Sequence, residues 1–366
     1  MRVPFALGGI GHRLTLGADQ HAWRYDSRRS NLPDNVARPI NRVKVSQDVR
    51  AYYAHDLVQV GEHTQGSLGW RSERVKYAAS DAVDPGAPGF FFNTAAPAAS
   101  DTQRQTAWEL GLKHAFSPLW SGYLRAGRSH RFVNVDEIYE NDAFFAAQFQ
   151  ILRPQSTRNN EVGAEWRGQS ARARAALFRN DVRDEIHLDP FTTGVGNTNL
   201  PPSRRQGVEL DGSWQAASSV RLNAAYAYTD ARFREGVLPG GAFAIGTNLG
   251  VAGRKVPLVP AHKANLGVLW EPTAGTRVSA AIAYLSEQFM DNDEPNTLGV
   301  KIPSATLVDF KLSHALGKAR VGLAVNNLLD RKYYNYAVRS AFTADRYSVY
   351  PLSGRTIGAT LEFQLE

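Results

Sequence analysis

Asp291-Asn292-Asp293-Glu294 sets four oxygen-bearing side chains in a row, and hard divalent cations prefer oxygen ligands. The run lacks the glycine and the register of an EF-hand loop. It is therefore expected to be a solvated loop tip, with no metal site. The nine histidines are scattered without a His-x-x-x-His pair, which argues against metal or haem ligation. With no cysteine in the chain, thiolate ligands, thiol nucleophiles and disulfides are excluded. No nucleophile motif, Gly-rich phosphate loop or paired-carboxylate arrangement occurs, so neither an enzyme nor a cofactor is expected. What remains is aromatic. Phe90, Phe91, Phe92, Tyr139, Phe144, Phe145, Tyr333, Tyr334 and Tyr336 fall in segments without strand periodicity. Aromatic faces near arginine offer stacking and cation–π contacts to a catecholate or another chelate. These nine are the candidate ligand-binding residues.

The elements that must carry these loops are strands. From 355 to 366, Ile357, Ala359, Leu361, Phe363 and Leu365 alternate with Thr356, Gly358, Thr360, Glu362 and Gln364. Period two is the signature of a strand with one oily and one wet face. The pattern returns along the chain: Leu14, Leu16 and Ala18; Val49, Ala51, Tyr53 and Leu57; Leu110 and Leu112; Val162 and Ala164; Val208 and Leu210; Leu222 and Ala224; Leu266 and Val268; Val321 and Leu323. Segment 171–186 reads as one strand. We expect about 14 strands of roughly ten residues, joined alternately by short turns and by loops of roughly 15 to 30 residues. That alternation is expected of an antiparallel transmembrane β-barrel with short periplasmic turns and long outer loops.

Glu, Asp, Arg, Lys and Asn on the wet face suit a water-filled lumen better than a dry core, where unpaired ions are costly. Trp70, Trp108, Trp166, Trp214, Tyr226, Tyr228, Trp270 and Tyr284 are expected outward, as interfacial girdles. Arg172, Arg174, Arg179, Arg183, Arg204 and Arg205 line the lumen by default; contact with lipopolysaccharide phosphates is the alternative. The formal net charge of +7 alternates along strands rather than forming a folded basic module, so nucleic acid is not an expected partner. No stretch is long and apolar enough for a transmembrane helix.

Several segments resemble the barrel of TonB-dependent outer-membrane receptors. Val325-Asn326-Asn327-Leu328-Leu329-Asp330-Arg331-Lys332-Tyr333-Tyr334 is similar to a strand end of that family, and Tyr350-Pro351 with Gly354-Arg355 to the start of its last strand. Arg128-Ser129-His130-Arg131-Phe132, Asp136-Glu137-Ile138-Tyr139, Leu152-Arg153-Pro154 before Glu161-Val162-Gly163, Arg205-Gln206-Gly207-Val208-Glu209, Ala225-Tyr226-Ala227-Tyr228-Thr229-Asp230-Ala231 and Val259-Pro260-Ala261-His262-Lys263-Ala264 follow in family order. Val133-Asn134 stands where the family commonly has Ala-Pro, and Glu366 where it usually has an aromatic.

The resemblance implies TonB-dependent uptake of a ferric siderophore or similar metal chelate across a Gram-negative outer membrane, by a receptor barrel of about 22 strands around a plug. It implies residues 1–366 to be the C-terminal part of such a barrel domain, without signal peptide, TonB box or plug. Partners would be outer-membrane lipid and lipopolysaccharide, the metal chelate, and the inner-membrane TonB complex only where a plug is supplied. A self-sufficient, passive, porin-like channel is the alternative. An unpaired seam between the first and last strands is expected if strands are missing, because lipid does not tolerate bare backbone.

Overall fold

The computed structural model describes residues 2–33, 35, 37–91, 93–141, 146–188, 197–239, 247–340, 343 and 345–364. Its elements, in order, are β1 (Arg2–Leu7), β2 (Ile10–Arg29), β3 (Asn41–Val60), β4 (Thr64–Val83), β5 (Ala99–Ala115) and β6 (Trp120–Arg131). Then come β7 (Tyr139–Asn141), β8 (Ala147–Phe149), β9 (Gln155–Arg167), β10 (Ala171–Arg183), β11 (Glu185–His187), β12 (Thr198–Leu200), β13 (Ser203–Ala217) and β14 (Val220–Phe233). The rest are β15 (Val237–Pro239), β16 (Asn248–Gly250), β17 (His262–Trp270), β18 (Thr276–Leu285), β19 (Ala305–Leu316), β20 (Ala319–Asn326), β21 (Ala337–Arg339), β22 (Tyr347–Val349) and β23 (Thr356–Phe363).

Fifteen of these form one antiparallel sheet in chain order, β1-β2-β3-β4-β5-β6-β9-β10-β13-β14-β17-β18-β19-β20-β23. Each strand hydrogen-bonds to the next, so every long-range pairing is a meander contact. The sheet is open: β1 and β23 are its edges. The connections at one end are short (8–9, 61–63, 116–119, 168–170, 218–219, 271–275, 317–318) and those at the other are long. Gly8 and Gly9 make the first turn with φ of 57° and 79°, a left-handed pair that a tight hairpin requires and that side chains resist.

Register explains the two faces. Leu177 stands opposite Val162 on one side and Val208 on the other, and Val208 opposite Tyr228. Residues directly opposite share a face, so these make one apolar row across four strands. The expected outward aromatics lie on this outer face, Trp70, Trp108, Trp214, Tyr226, Tyr228, Trp270 and Tyr284 exposed and Trp166 half-buried. Trp120 and Trp166 face each other beside short turns. From Val220, opposite Trp270, to Tyr228, opposite His262, the strand runs about 26 Å at ~3.3 Å per residue. At the ~35–45° strand tilt of outer-membrane barrels that run rises about 20 Å, most of their ~25 Å apolar band.

Four expectations need correction. β1 is a fifteenth sheet strand that the pattern missed, being only six residues long. Segment 171–186 is not one strand; Asp184, at φ 52°, breaks it into β10 and the start of a loop hairpin. In β3 the faces are inverted: Val49 is 8% and Ala51 1% exposed, whereas Tyr52 is 62% exposed. The upper half of β3 rises into the long-loop region, where loops cover the inner face and water bathes the outer one. The arginines also divide. Arg174 and Arg205 lie inward with Glu161 and Glu185. Arg204 and Arg158 stand opposite Asp181 on the Leu177 face, with Arg179 and Arg183 on the same side of β10, so lumen lining is not common to all six.

Candidate functional site

The long connections fold rather than dangle. Four carry a two-stranded hairpin: β7-β8, β11-β12, β15-β16 and β21-β22. Apolar residues in and beside them collect into small cores at the long-loop end. The first joins Val43, Val45, Val75, Tyr77 and Ala79 of the β3–β4 inner face to Phe132, Val133, Ile138, Leu152 and Ile186. Residues 132–141 and 146–154 thus turn down over the inner face of the sheet. Tyr77 and Val133 are both fully buried, and Gln47 Nε2 donates to the same Val133 carbonyl at 3.3 Å. The fold of this segment is locked by Glu137, whose carboxylate accepts from Arg131 Nη1 and from the Asn134 amide, each at 2.8 Å. A second core holds Leu200, Phe233, Leu238, Val251 and Val256, and a third Met290, Leu298, Ile302 and Ala337.

Below this mouth, the inner face of the sheet is a ladder of paired charges. Arg71 bridges Asp19 and Glu73, each at 2.7 Å. Lys113 meets Glu165 at 2.5 Å. Tyr123 donates to Glu161, which also pairs with Arg174 at 2.8 Å. Gly163 makes this possible: a Cβ there would lie 2.4 Å from the Tyr123 ring. Such a polar, hydrogen-bonded surface suits contact with water and polar solutes.

The predicted aromatics divide among these surroundings. Phe90 and Phe91 are 38% and 74% exposed in the 84–98 loop. Tyr139 packs against the first core, its ring beneath the Arg29 guanidinium at 4.9 Å and its hydroxyl donating to Asp81 at 3.3 Å; burial pushes that phenol above its usual range. Tyr334 packs against the third core and Tyr333 is half-buried. Tyr336 donates to Asp291 Oδ2 at 2.8 Å and lies 5.2 Å from the Tyr350 ring. Phe92, Phe144 and Phe145 lie outside the described residues. The structure therefore gathers Tyr334 and Tyr336 near the acidic loop and leaves Phe90 and Phe91 in a separate one.

The acidic run is not a solvated tip. Asp293 is 0% and Glu294 2% exposed. Asp293 accepts from the Thr297 amide at 2.9 Å and from Arg339 Nη1 at 3.1 Å. The loop folds this way because Met290 and Leu298 anchor it in the third core and Asn292 and Asn296 adopt positive φ. Burial holds both carboxyls above the usual carboxylate range. His187, from the β11-β12 hairpin, reaches this loop: its Nε2 is 3.0 Å from Asn292 Oδ1, and its Nδ1 4.0 Å from Asp291 Oδ1. Sequence reading gave no signal for that meeting, since the two segments are 105 positions apart.

The sequence profile described as "TonB dependent receptor-like, beta-barrel" matches residues 2–328. Among similar curated proteins, the metal-pseudopaline receptor CntO of Pseudomonas aeruginosa is 24% identical, over 92% of this chain and 47% of its own length. The ferrioxamine receptor of Yersinia enterocolitica is 28% identical, over 55% of this chain and 27% of its own. Among solved structures, the ferric-catecholate import receptor Fiu of E. coli K12 superposes with TM-score 0.74 at 18% identity, covering 98% of this chain and 53% of that one. The siderophore receptor PiuA of Acinetobacter baumannii gives 0.72 at 17%, covering 98% and 54%. The chain thus spans about half the length of the proteins it matches across nearly all of its own length.

Proposed function

This chain belongs to the TonB-dependent receptor β-barrel family, and on that premise we propose that it forms the wall and mouth of an outer-membrane receptor that takes up a ferric siderophore or similar metal chelate. The observation that carries the reading is the two-faced sheet: an outer face of apolar rows between aromatic belts, and an inner face of ion pairs. A sheet of that kind is stable only between lipid and water. The names of CntO and the ferrioxamine receptor give metal chelates as the ligand class of relatives, and none names an enzyme. Phe90 and Phe91 with Tyr139, Tyr333, Tyr334 and Tyr336 supply aromatic surface at the mouth. The outward Arg158, Arg179, Arg183 and Arg204 suit the phosphates of lipopolysaccharide. Coupling to the TonB complex would run through a plug, a segment outside this chain's fold.

Fifteen strands against the family's ~22, with β1 and β23 each paired on one side only, favour a sheet completed by further strands over a self-sufficient passive channel. The test is expression of the chain together with the upstream coding sequence in an iron-limited Gram-negative host lacking its own receptors. Expected is heat-modifiable migration from the outer-membrane fraction and energy-dependent accumulation of a radiolabelled ferric chelate. Recovery as a detergent-free soluble monomer, or accumulation indifferent to loss of TonB, overturns the proposal.

A further inference from the structure

We propose that His187, Asp291 and Glu294 form a binding site for a divalent first-row transition ion of the zinc class, which ties two of the long loops together at the mouth. The ligand atoms of the three side chains all lie within 4.8 Å of one another. They come from distant segments, His187 from β11 and the two carboxylates from the 286–304 loop. The loop is itself fastened to β21, because the Arg339 amide donates to the Asp291 carbonyl at 2.9 Å.

A second observation points to a ligand. Glu294 is 2% exposed, and its carboxylate accepts a hydrogen bond from its own amide but, among the described residues, meets no lysine or arginine. Buried carboxylates are ordinarily paired or on a metal. The available guanidinium, Arg339, is taken by Asp293. Asp291 takes the Tyr336 hydroxyl on Oδ2 and the Asn292 amide on Oδ1, and Oδ1 also faces His187. Two carboxylates therefore converge with the His187 imidazole, and among the described residues no lysine or arginine pairs with either.

The imidazole is prepared for a metal. Asn292 Oδ1, 3.0 Å from His187 Nε2, can only accept, so it keeps the proton on Nε2. The Nδ1 lone pair is left facing Asp291. Metal-bound histidines characteristically give their other N–H to such an acceptor. The gap of 4.0 Å between Nδ1 and Asp291 Oδ1 is too long for a hydrogen bond and suits two ligands on one ion. Imidazole nitrogen beside carboxylate oxygen selects zinc-class ions over calcium or magnesium, which take oxygen alone. Ligands at ~2.0–2.2 Å from zinc require the three side chains to draw in slightly. A set of three leaves one position for water.

The full chain, folded in detergent micelles and stripped with EDTA, is titrated calorimetrically with zinc chloride, and in parallel with calcium chloride. The expected result is saturable binding of one zinc per chain and none of calcium. Glu294→Gln, Asp291→Asn and His187→Gln each weaken zinc at least tenfold, and Asn292→Ala weakens it by ~10–100-fold, the usual cost of losing an outer-shell partner. His63→Gln, in an exposed turn at the opposite end, changes nothing. Zinc slows tryptic cleavage after Lys301 in the unaltered chain and not in Glu294→Gln. Heat-modifiable migration verifies the fold of each variant; if one fails to fold, the other two carry the test. No saturable uptake, equal uptake by all three ligand variants, or a preference for calcium overturns the site. The inference rests on loop geometry and not on transport, so zinc binding without chelate uptake would leave it standing while removing the function proposed above.

Discussion

The hydroxyl of Tyr77 donates to the backbone carbonyl of Val133 at 2.8 Å, in a place where both residues are fully buried. This bond fastens the 132–141 stretch to the sheet wall. Removing it by Tyr77→Phe keeps the ring in the core and leaves Gln47 still donating to the carbonyl. A buried neutral hydrogen bond contributes about 1 kcal/mol net. Amide exchange across 132–138 should therefore quicken about fivefold, a factor matching that energy, while the far strands β17 to β20 stay unchanged. Ile138→Ala, which opens a cavity in the same core, should cost more, about 2–5 kcal/mol.

Arg339 holds a buried carboxylate. With Arg339→Ala, Asp293 keeps its amide donors from Thr297 and Leu298 but loses its counter-charge. Breaking a buried pair from one side typically costs about 3–5 kcal/mol. Limited proteolysis should then cut the 286–304 loop readily. Arg339→Lys should restore part of the protection: the single nitrogen Nη1 donates to both Asp293 and Thr297, and an ammonium keeps the charge and the donors on a shorter side chain.

The 30–40 and 84–98 loops are clasped by Arg38 and Asp84, 2.7 Å apart. The guanidinium and the Gly86 amide hold the Asp84 carboxyl below the usual carboxylate range. A depressed folded-state value means that the clasp contributes fully above the unfolded carboxylate's range and is lost as pH falls through the lower one. Protection of the Gly86 amide should accordingly persist down to about pH 4 and collapse beneath it. Asp84→Asn should abolish the pH dependence. Both side chains are well exposed, so global stability should barely move.

Neighbouring residues on β17 offer a contrast between faces. Leu266 is 55% exposed on the outer face, opposite Ala224 and Ile282, whereas Asn265 lies on the inner one, opposite Ala225 and Ala283. In bilayers, Leu266→Arg should destabilise the sheet by about 2–4 kcal/mol. Asn265→Arg should be nearly neutral. Equal effects at the two positions in a denaturant titration would refute the assignment of lipid to the outer face.

Much of this architecture is written locally. Strand β13 alternates Val208 and Leu210 with Glu209 and Asp211 by the same rule that sets β20 and β23, and meander pairing follows from sequence order. The upper half of β3 misled for a physical reason: period two reports that faces differ, but not which is inside. Above the apolar belt the dry side is the inner one, made so by Val133 and Ile138 from another segment. The mouth is less legible still. Tyr139 reads as an aromatic for a ligand, and no spacing announces that its ring packs under Arg29. Asp293 and Glu294 read as a wet tip and are buried by Met290, Leu298 and Arg339. Such contacts join loops whose spacing carries no period, so no local pattern announces them.

The lateral margins of the sheet have their own consequence. β1 covers β2 only between Ile10 and Thr15, and on the opposite border every residue of β23 is exposed. Any extended peptide that drifts alongside can be stitched on by main-chain bonds regardless of its sequence, so the molecule behaves as a strip of fabric with two raw hems. A companion polypeptide that hems both sides would do more for its shelf life than any change to its interior.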